Sequence, residues 1–221
     1  MTGAQAVLLD LYDTLVWSEW PSLRELIQRR AGVTEAELVR AFVRSRPARS
    51  VGTFGGAEGD MAATLREAGV RDDPALVGDL VALERGFLTG GVHVYEDALP
   101  VLRELRARGV RTAVVSNCSH STRPIVDRLE LERETDAVVL SFEVRVAKPD
   151  PGIYLAALDR LGAEPAGSVF VDDQSSFCDG AAELGMATLL IQREGAAPDE
   201  GRSEPGGHEV IRDLRALLER V

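Results

Sequence analysis

The feature that most constrains this fold is a repeated pairing of short apolar runs with polar residues at their carboxyl ends. Residues 6–9 run into Asp10, residues 112–115 into Ser116 and Asn117, and residues 168–171 into Asp172 and Asp173. Two further apolar runs, 137–140 and 187–191, share the length and texture of buried strands. Helical patterns over 97–108, 123–129, 151–161 and 177–184 alternate with them. Strands that are apolar throughout and separated by helices predict a parallel sheet covered on both faces. The expected fold class is α/β, with a Rossmann-like parallel sheet as its core.

Between the first strand and residue 92 the rhythm is different. Leu23, Leu26 and Ile27, then Leu38, Ala41 and Phe42, then Met61, Leu65 and Ala68, then Leu76, Leu80 and Leu83 recur at helical spacing. Thr34 followed by Glu37 forms a capping box. This predicts an inserted, all-helical cap over residues 16–91, with 1–15 and 92–221 forming the Rossmann-like core. The glycine-rich stretch 51–59 lacks the Gly-Lys-Ser/Thr ending of a phosphate loop and reads as a mobile connector. Residues 194–208, rich in Gly, Pro and Glu, read as loose, and 209–218 as a closing helix.

Composition narrows the function classes. At 221 residues the chain is long enough to bury roughly 70% of its unfolded surface. The formal charge of −11 opposes non-specific nucleic-acid binding and docking on anionic membranes. No apolar run approaches a membrane span, and no basic segment precedes the first apolar run, so a cytoplasmic protein is expected. Two cysteines, Cys118 and Cys178, fit reduced thiols better than a disulfide framework. One residue among the 25 Lys+Arg is a lysine, Lys148, in Val146-Ala147-Lys148-Pro149-Asp150. Where arginine serves elsewhere, a lone lysine marks a position that needs a compact ammonium rather than a planar fork.

Ligands of open parallel sheets bind at the carboxyl ends of the strands. Asp10, Ser116, Asn117, Lys148, Asp172 and Asp173 would therefore share one rim. Clustered carboxylates beside a hydroxyl and an ammonium suit Mg²⁺ held together with phosphate oxygens, and an aspartate there can act as a nucleophile.

On these residues the chain resembles the haloacid dehalogenase superfamily over nearly its whole length. Its motifs correspond to Leu8-Leu9-Asp10-Leu11-Tyr12-Asp13-Thr14-Leu15, Val114-Val115-Ser116-Asn117, Lys148-Pro149-Asp150-Pro151 and Phe170-Val171-Asp172-Asp173. The resemblance includes a C1-type helical cap and implies roles. Asp10 would be the nucleophile, and Ser116 and Asn117 would bind phosphoryl oxygens. Lys148 would hold nucleophile and phosphate together. Asp10, the Tyr12 carbonyl, Asp172 and Asp173 would bind Mg²⁺.

One position departs from the phosphatase pattern, which has a second aspartate two residues after the nucleophile as general acid and base. Here that residue is Tyr12, as in the 2-haloacid dehalogenase branch; Asp13, one residue later, could take the role if the turn is rearranged. Dehalogenases use no metal, however, and carry serines where this chain has Asp172-Asp173. Two adjacent buried carboxylates repel unless a cation neutralises them. The expectation is a Mg²⁺-dependent phosphatase acting on a small anionic metabolite, as monomer or homodimer. The alternatives are a metal-independent 2-haloacid dehalogenase and a weakly catalytic phosphometabolite-binding protein. Arg40, Arg44 and Arg46 read as a solvated helix face, Trp17 and Trp20 as packing residues, and His93 and His120 as ordinary surface histidines.

Overall fold

The computed structural model describes residues 4–193 and 206–221. Its main sheet contains β1 (Ala6–Leu9), β4 (Arg111–Ser116), β5 (Ala137–Leu140), β6 (Ser168–Asp172), β7 (Ala187–Ile191) and β8 (Glu209–Ile211). The order is β5-β4-β1-β6-β7-β8, and every neighbouring pair is parallel. Side chains alternate across a strand, and here the alternation divides two cores. Val7, Leu9, Val114 and Val171 face one layer with Val101, Leu102, Ile125 and Leu214. Ala6, Leu8, Val115 and Phe170 face the other, with Ile153, Tyr154, Leu158 and Cys178.

This order decides where the site forms. From β1 the chain builds outward through β4 to β5, then returns to place β6 on the other side of β1. Leu9 is therefore in register with Val114 on one side and Val171 on the other. Asp10 and Asp172 follow directly, and Ser116 comes two residues after Val114, so the three emerge together where the strand order reverses, the usual ligand crevice of such sheets.

Between β2 (Val16–Ser18) and β3 (Val92–Val94) lie four helices: α1 (Trp20–Ala31), α2 (Glu35–Ser50), α3 (Ala57–Glu67) and α4 (Pro74–Gly90). They close on a core of their own, with Leu23, Ile27, Leu38, Met61, Leu65, Leu80 and Val81 buried together. The Thr34 and Glu37 capping box starts α2 as the spacing predicts, and Asp73 caps α4.

Several expectations are corrected. Residues 16–18 are not helical: they pair antiparallel with Val92–Val94, so the insertion enters and leaves through a two-stranded ribbon. The closing segment 209–218 is not an α-helix either. Glu209–Ile211 adds a strand to β7, and a 3₁₀ turn, Leu214–Glu219, packs Leu214 and Leu217 into the core. The stretch 51–59 is docked rather than a free connector. Gly52 is buried at φ +67°, so close to the main chain of Phe142 that a Cβ there would lie 2.5 Å from the carbonyl oxygen. Residues 194–205 of the segment expected to be loose lie outside the described residues. No helix among the described residues is long and apolar enough to cross a membrane.

Candidate active site

The rim of the sheet delivers the sequence-predicted residues to one place. Asp10, Lys148, Asp172 and Asp173 are all buried there. The Asp10 amide donates to Val171 O at 2.9 Å, which locks the acid to the strand that carries Asp172. Lys148 arrives from the loop before the helix Pro151–Leu161, and its ammonium makes three bonds. It donates to Asp10 Oδ1 at 2.5 Å, to Asp172 Oδ2 at 2.7 Å and to Val115 O at 3.0 Å. The rings of Phe170 and Phe177 lie 5.5 and 5.0 Å from it and close it off from water.

Lys148 is itself positioned by Asn117. The Asn117 amide donates to Lys148 O at 2.8 Å, and Oδ1 accepts from Lys148 N at 2.7 Å. Asn117 was expected to bind phosphoryl oxygens alongside Ser116. Its side chain holds the lysine backbone through Oδ1 and one of its two Nδ2 hydrogens. Ser116 Oγ is buried beside the Cys118 thiol and has no geometric hydrogen-bond partner among the described residues. An unsatisfied buried hydroxyl is costly and points to a bound group.

Oxygen atoms of Asp10, Asp172 and Asp173 lie within 4.8 Å of one another. Burial raises the Asp10 carboxyl to about 7 even though the Lys148 charge pulls it down. Burial and the charges of Asp172, Asp10 and Asp13 push Asp173 to about 9. Burial opposes the charge on Lys148, but Asp10 and Asp172 outweigh it and hold its pKa above the ordinary lysine value. Three buried carboxylates facing one ammonium leave an excess of negative charge. A hard divalent cation fits that donor set. Both Asp172 oxygens already accept bonds, from Lys148 Nζ and from Gln174 N, so it braces the lysine as well as facing the cation position.

Tyr12 directs its hydroxyl to Thr122 Oγ1 at 3.2 Å, and burial raises its pKa above the usual phenol value. It stays protonated at neutral pH and cannot act as a base there. Asp13 takes a left-handed backbone at φ +58°, donates its amide to Val16 O at 2.7 Å, and adds its charge to the field around Asp173. Cys118 and Cys178 are both free and buried, and burial pushes both thiols up, Cys118 to about 12. Arg40, Arg44 and Arg46 are exposed. Trp17 stacks on His93, and Trp20 packs at an angle to Phe42.

The sequence reading missed an arrangement where the inserted helices meet the core. His120, expected at the surface, donates from Nδ1 to Asp60 Oδ2 on α3 at 2.8 Å. Its neighbour Ser121 donates to Glu84 Oε2 on α4 at 2.8 Å. The signal was present as charge on apolar stripes. Asp60 shares one helix face with Met61, Thr64 and Leu65, and Glu84 shares one with Leu80, Val81 and Leu88.

Parallel strands delivering acids to one buried lysine define a charged site at the rim of an α/β sheet, and comparison with known proteins gives the family. The chain matches the haloacid dehalogenase-like hydrolase family over residues 4–185 and belongs to it. It is 28% identical over 227 residues to Phosphatase MT3486 of Mycobacterium tuberculosis, covering 96% of this chain and 94% of that protein. It is 32% identical over 127 residues to (S)-2-haloacid dehalogenase 4A of Burkholderia cepacia, but over only 56% of this chain and 54% of that one. Among solved structures, a dehalogenase covers 100% of this chain at TM-score 0.68 and 24% identity, with 98% of its own chain matched; this likeness shows the fold. The relatives therefore include both chemistries that the site residues suggest.

Proposed function

We propose that the chain is a Mg²⁺-dependent phosphatase of small phosphorylated metabolites, working through an aspartyl-phosphate on Asp10. The convergence of the Asp10, Asp172 and Asp173 oxygens within 4.8 Å carries this reading. Halide displacement has no use for that much buried negative charge, whereas metal-assisted phosphoryl transfer depends on it. Asp10, Asp173, Asp172 and the Tyr12 carbonyl would hold the Mg²⁺, which would supply charge neutralisation to the phosphoryl oxygens.

The remaining work falls to this chain's own groups. Asp10, held by Lys148 and by its amide hydrogen bond to β6, attacks phosphorus in line as the P–O bond to the alcohol breaks. The leaving alkoxide takes a proton from water. A second water then attacks the acyl phosphate, releasing inorganic phosphate and restoring the Asp10 carboxylate. Lys148 sits between nucleophile and brace, where its ammonium can stabilise charge that develops on the transferring group. Ser116 Oγ, whose hydrogen bond is unspent, donates to a phosphoryl oxygen. Residues 16–91 act as a cap that excludes water and selects the substrate over the core formed by 1–15 and 92–221. Tyr12 offers no base, so turnover of unactivated alkyl esters is slow by the roughly 10²–10⁴-fold that a general acid/base supplies.

Tyr12 and the dehalogenase relatives favour a second reading, carbon–halogen hydrolysis through an ester on Asp10. Incubation with p-nitrophenyl phosphate, a phosphometabolite panel and 2-chloropropionate, each with Mg²⁺ or EDTA and beside Asp10→Asn, decides between them. Phosphate release that needs both Mg²⁺ and Asp10 is the expected result. Chloride release in EDTA would overturn it, and metal and phosphate binding without any turnover would leave a binding protein.

A further inference from the structure

One buried ion pair lies outside the site and touches both connections between the core and the inserted helices. Arg193 Nη1 donates to Asp97 Oδ2 at 2.6 Å, and Nη2 donates to Thr14 O at 2.6 Å. The guanidinium also stands 4.0 Å from the centre of the Tyr95 ring. Thr14 belongs to the turn leading from Asp10 into β2, whereas Tyr95 and Asp97 follow β3. Asp97 Oδ2 accepts a second bond, from Leu214 N at 2.7 Å, which ties the pair to the 3₁₀ turn packed into the core. One planar fork thus joins the outgoing strand, the returning strand and the core.

The pair is a poor device for stability alone. The Arg193 side chain is 6% exposed and that of Asp97 1%, so both charges are desolvated. Burial works against the Asp97 charge, yet the bonds from Arg193 and Leu214 N hold its carboxyl below the usual range, and the pair stays ionised at neutral pH. Arg193 Nε, Asp97 Oδ1 and Thr14 Oγ1 are buried and have no hydrogen-bond partner among the described residues. Apolar side chains of similar volume would fill the space without those unmet groups. They could not hold a backbone carbonyl in place.

The carbonyl that is held belongs to a turn with a demanding course. At its start the Asp10 amide is fixed to β6. Leu11 O accepts from both Leu15 N and Val16 N at 2.9 Å, and no backbone N–H among the described residues donates to Tyr12 O. Asp13 is left-handed at φ +58°, a conformation that persists where the surroundings impose it. The turn therefore leaves Tyr12 O for another partner, and Thr14 O, two residues on, is where Arg193 fixes the turn from outside.

We propose that Arg193 is a positioning residue: its grip on Thr14 O fixes the turn that carries the Tyr12 carbonyl, and so sets the affinity of the site for Mg²⁺. The inference rests on the phosphatase reading. Partners that orient a metal ligand from outside the coordination sphere are worth about 10–100-fold in affinity.

The test is calorimetric titration of the full chain with Mg²⁺ alone, at a temperature where circular dichroism shows each protein folded, in wild type, Arg193→Lys, Arg193→Met and Asp97→Asn. Lysine keeps a charge beside Asp97 but has no fork to reach both oxygens. Both Arg193 variants should raise the Mg²⁺ dissociation constant about tenfold or more. Asp97→Asn, which leaves Arg193 without its anchoring charge, should raise it by less. With p-nitrophenyl phosphate, the Mg²⁺ concentration for half-maximal rate should rise in parallel, while KM and the kcat at saturating Mg²⁺ stay near wild type. A purely structural pair would lower Tm in EDTA and leave the dissociation constant unchanged, and that result overturns the proposal. Full rescue by lysine overturns it too, as does failure of all three variants to fold. A wild type that binds no Mg²⁺ removes the phosphatase reading and this inference with it, whereas binding of equal strength in wild type and variants refutes only the role of Arg193.

Discussion

Replacing Lys148 with Met tests the electrostatic design of the site. The ammonium has three protons, and all are engaged, by Asp10 Oδ1 at 2.5 Å, Asp172 Oδ2 at 2.7 Å and Val115 O at 3.0 Å. Its side chain is 1% exposed. At 2.7 Å and an effective dielectric of about 20, each ion contact has a gross attraction of about 6 kcal/mol. Desolvation of the three charges cancels most of that gain. Removing one partner of such a pair still costs about 3–5 kcal/mol, because the remaining charges stay buried and unpaired. In a domain of this size that corresponds to a drop in Tm of roughly 6–20 °C. The assay is urea unfolding followed by circular dichroism in EDTA, at a pH above the Asp173 value of about 9, where the orphaned carboxylates are least relieved by protonation. Mg²⁺ should restore more stability to Lys148→Met than it adds to the wild type, since a cation then meets carboxylates that have lost their ammonium. A loss below about 1 kcal/mol, the scale of an exposed ion pair, would refute the reasoning.

Three further outcomes follow from the same geometry. Asp10 and Asp173 have folded-state pKa values of about 7 and about 9, above the 3.8 of the free carboxyl, so the metal-free folded state retains protons that the unfolded chain releases. Metal-free stability should therefore fall as pH rises from the ordinary carboxylate range through about 9, and the Mg²⁺-induced rise in Tm should grow with pH; a flat profile would contradict this. Tyr12→Asp should raise kcat on alkyl phosphates by a factor within the roughly 10²–10⁴ range of general acid catalysis, with less effect on p-nitrophenyl phosphate, whose leaving group needs little protonation. Gly52→Ala, with its Cβ 2.5 Å from Phe142 O at φ +67°, should lower Tm well beyond Gly55→Ala, which has equally left-handed backbone (φ +76°) but open space around it; equal losses would mean that the loop is not pressed against the core.

The sheet was legible because its information is local. Uninterrupted apolar runs such as residues 137–140 and 187–191 can be satisfied only by burial on both faces, and the structure forms strands over those same residues. The rim was legible for the same reason, since a polar residue ending an apolar strand has one place to go. What escaped depends on pairing at a distance. Val16–Ser18 is too short to show a period and is a strand only because Val92–Val94 lies beside it. Leu214 and Leu217, three apart, look helical, but the open edge of β7 takes Glu209–Ile211 as a strand first. Asp60 and Glu84 look like solvated charges until His120 and Ser121 are brought to them. Asn117 was placed at the correct rim, yet its clamp on the Lys148 backbone spans 31 residues of sequence and no local pattern announces it.

The central claim is that Asp10 carries a phosphoryl group during turnover, and the mass of the rapidly quenched enzyme tests it most directly. With Mg²⁺ and p-nitrophenyl phosphate, a peptide containing Asp10 should gain the mass of one phosphoryl group, and the adduct should disappear in EDTA and in Asp10→Asn. An unmodified Asp10 under those conditions, together with an ester adduct formed from 2-chloropropionate in EDTA, would contradict the account.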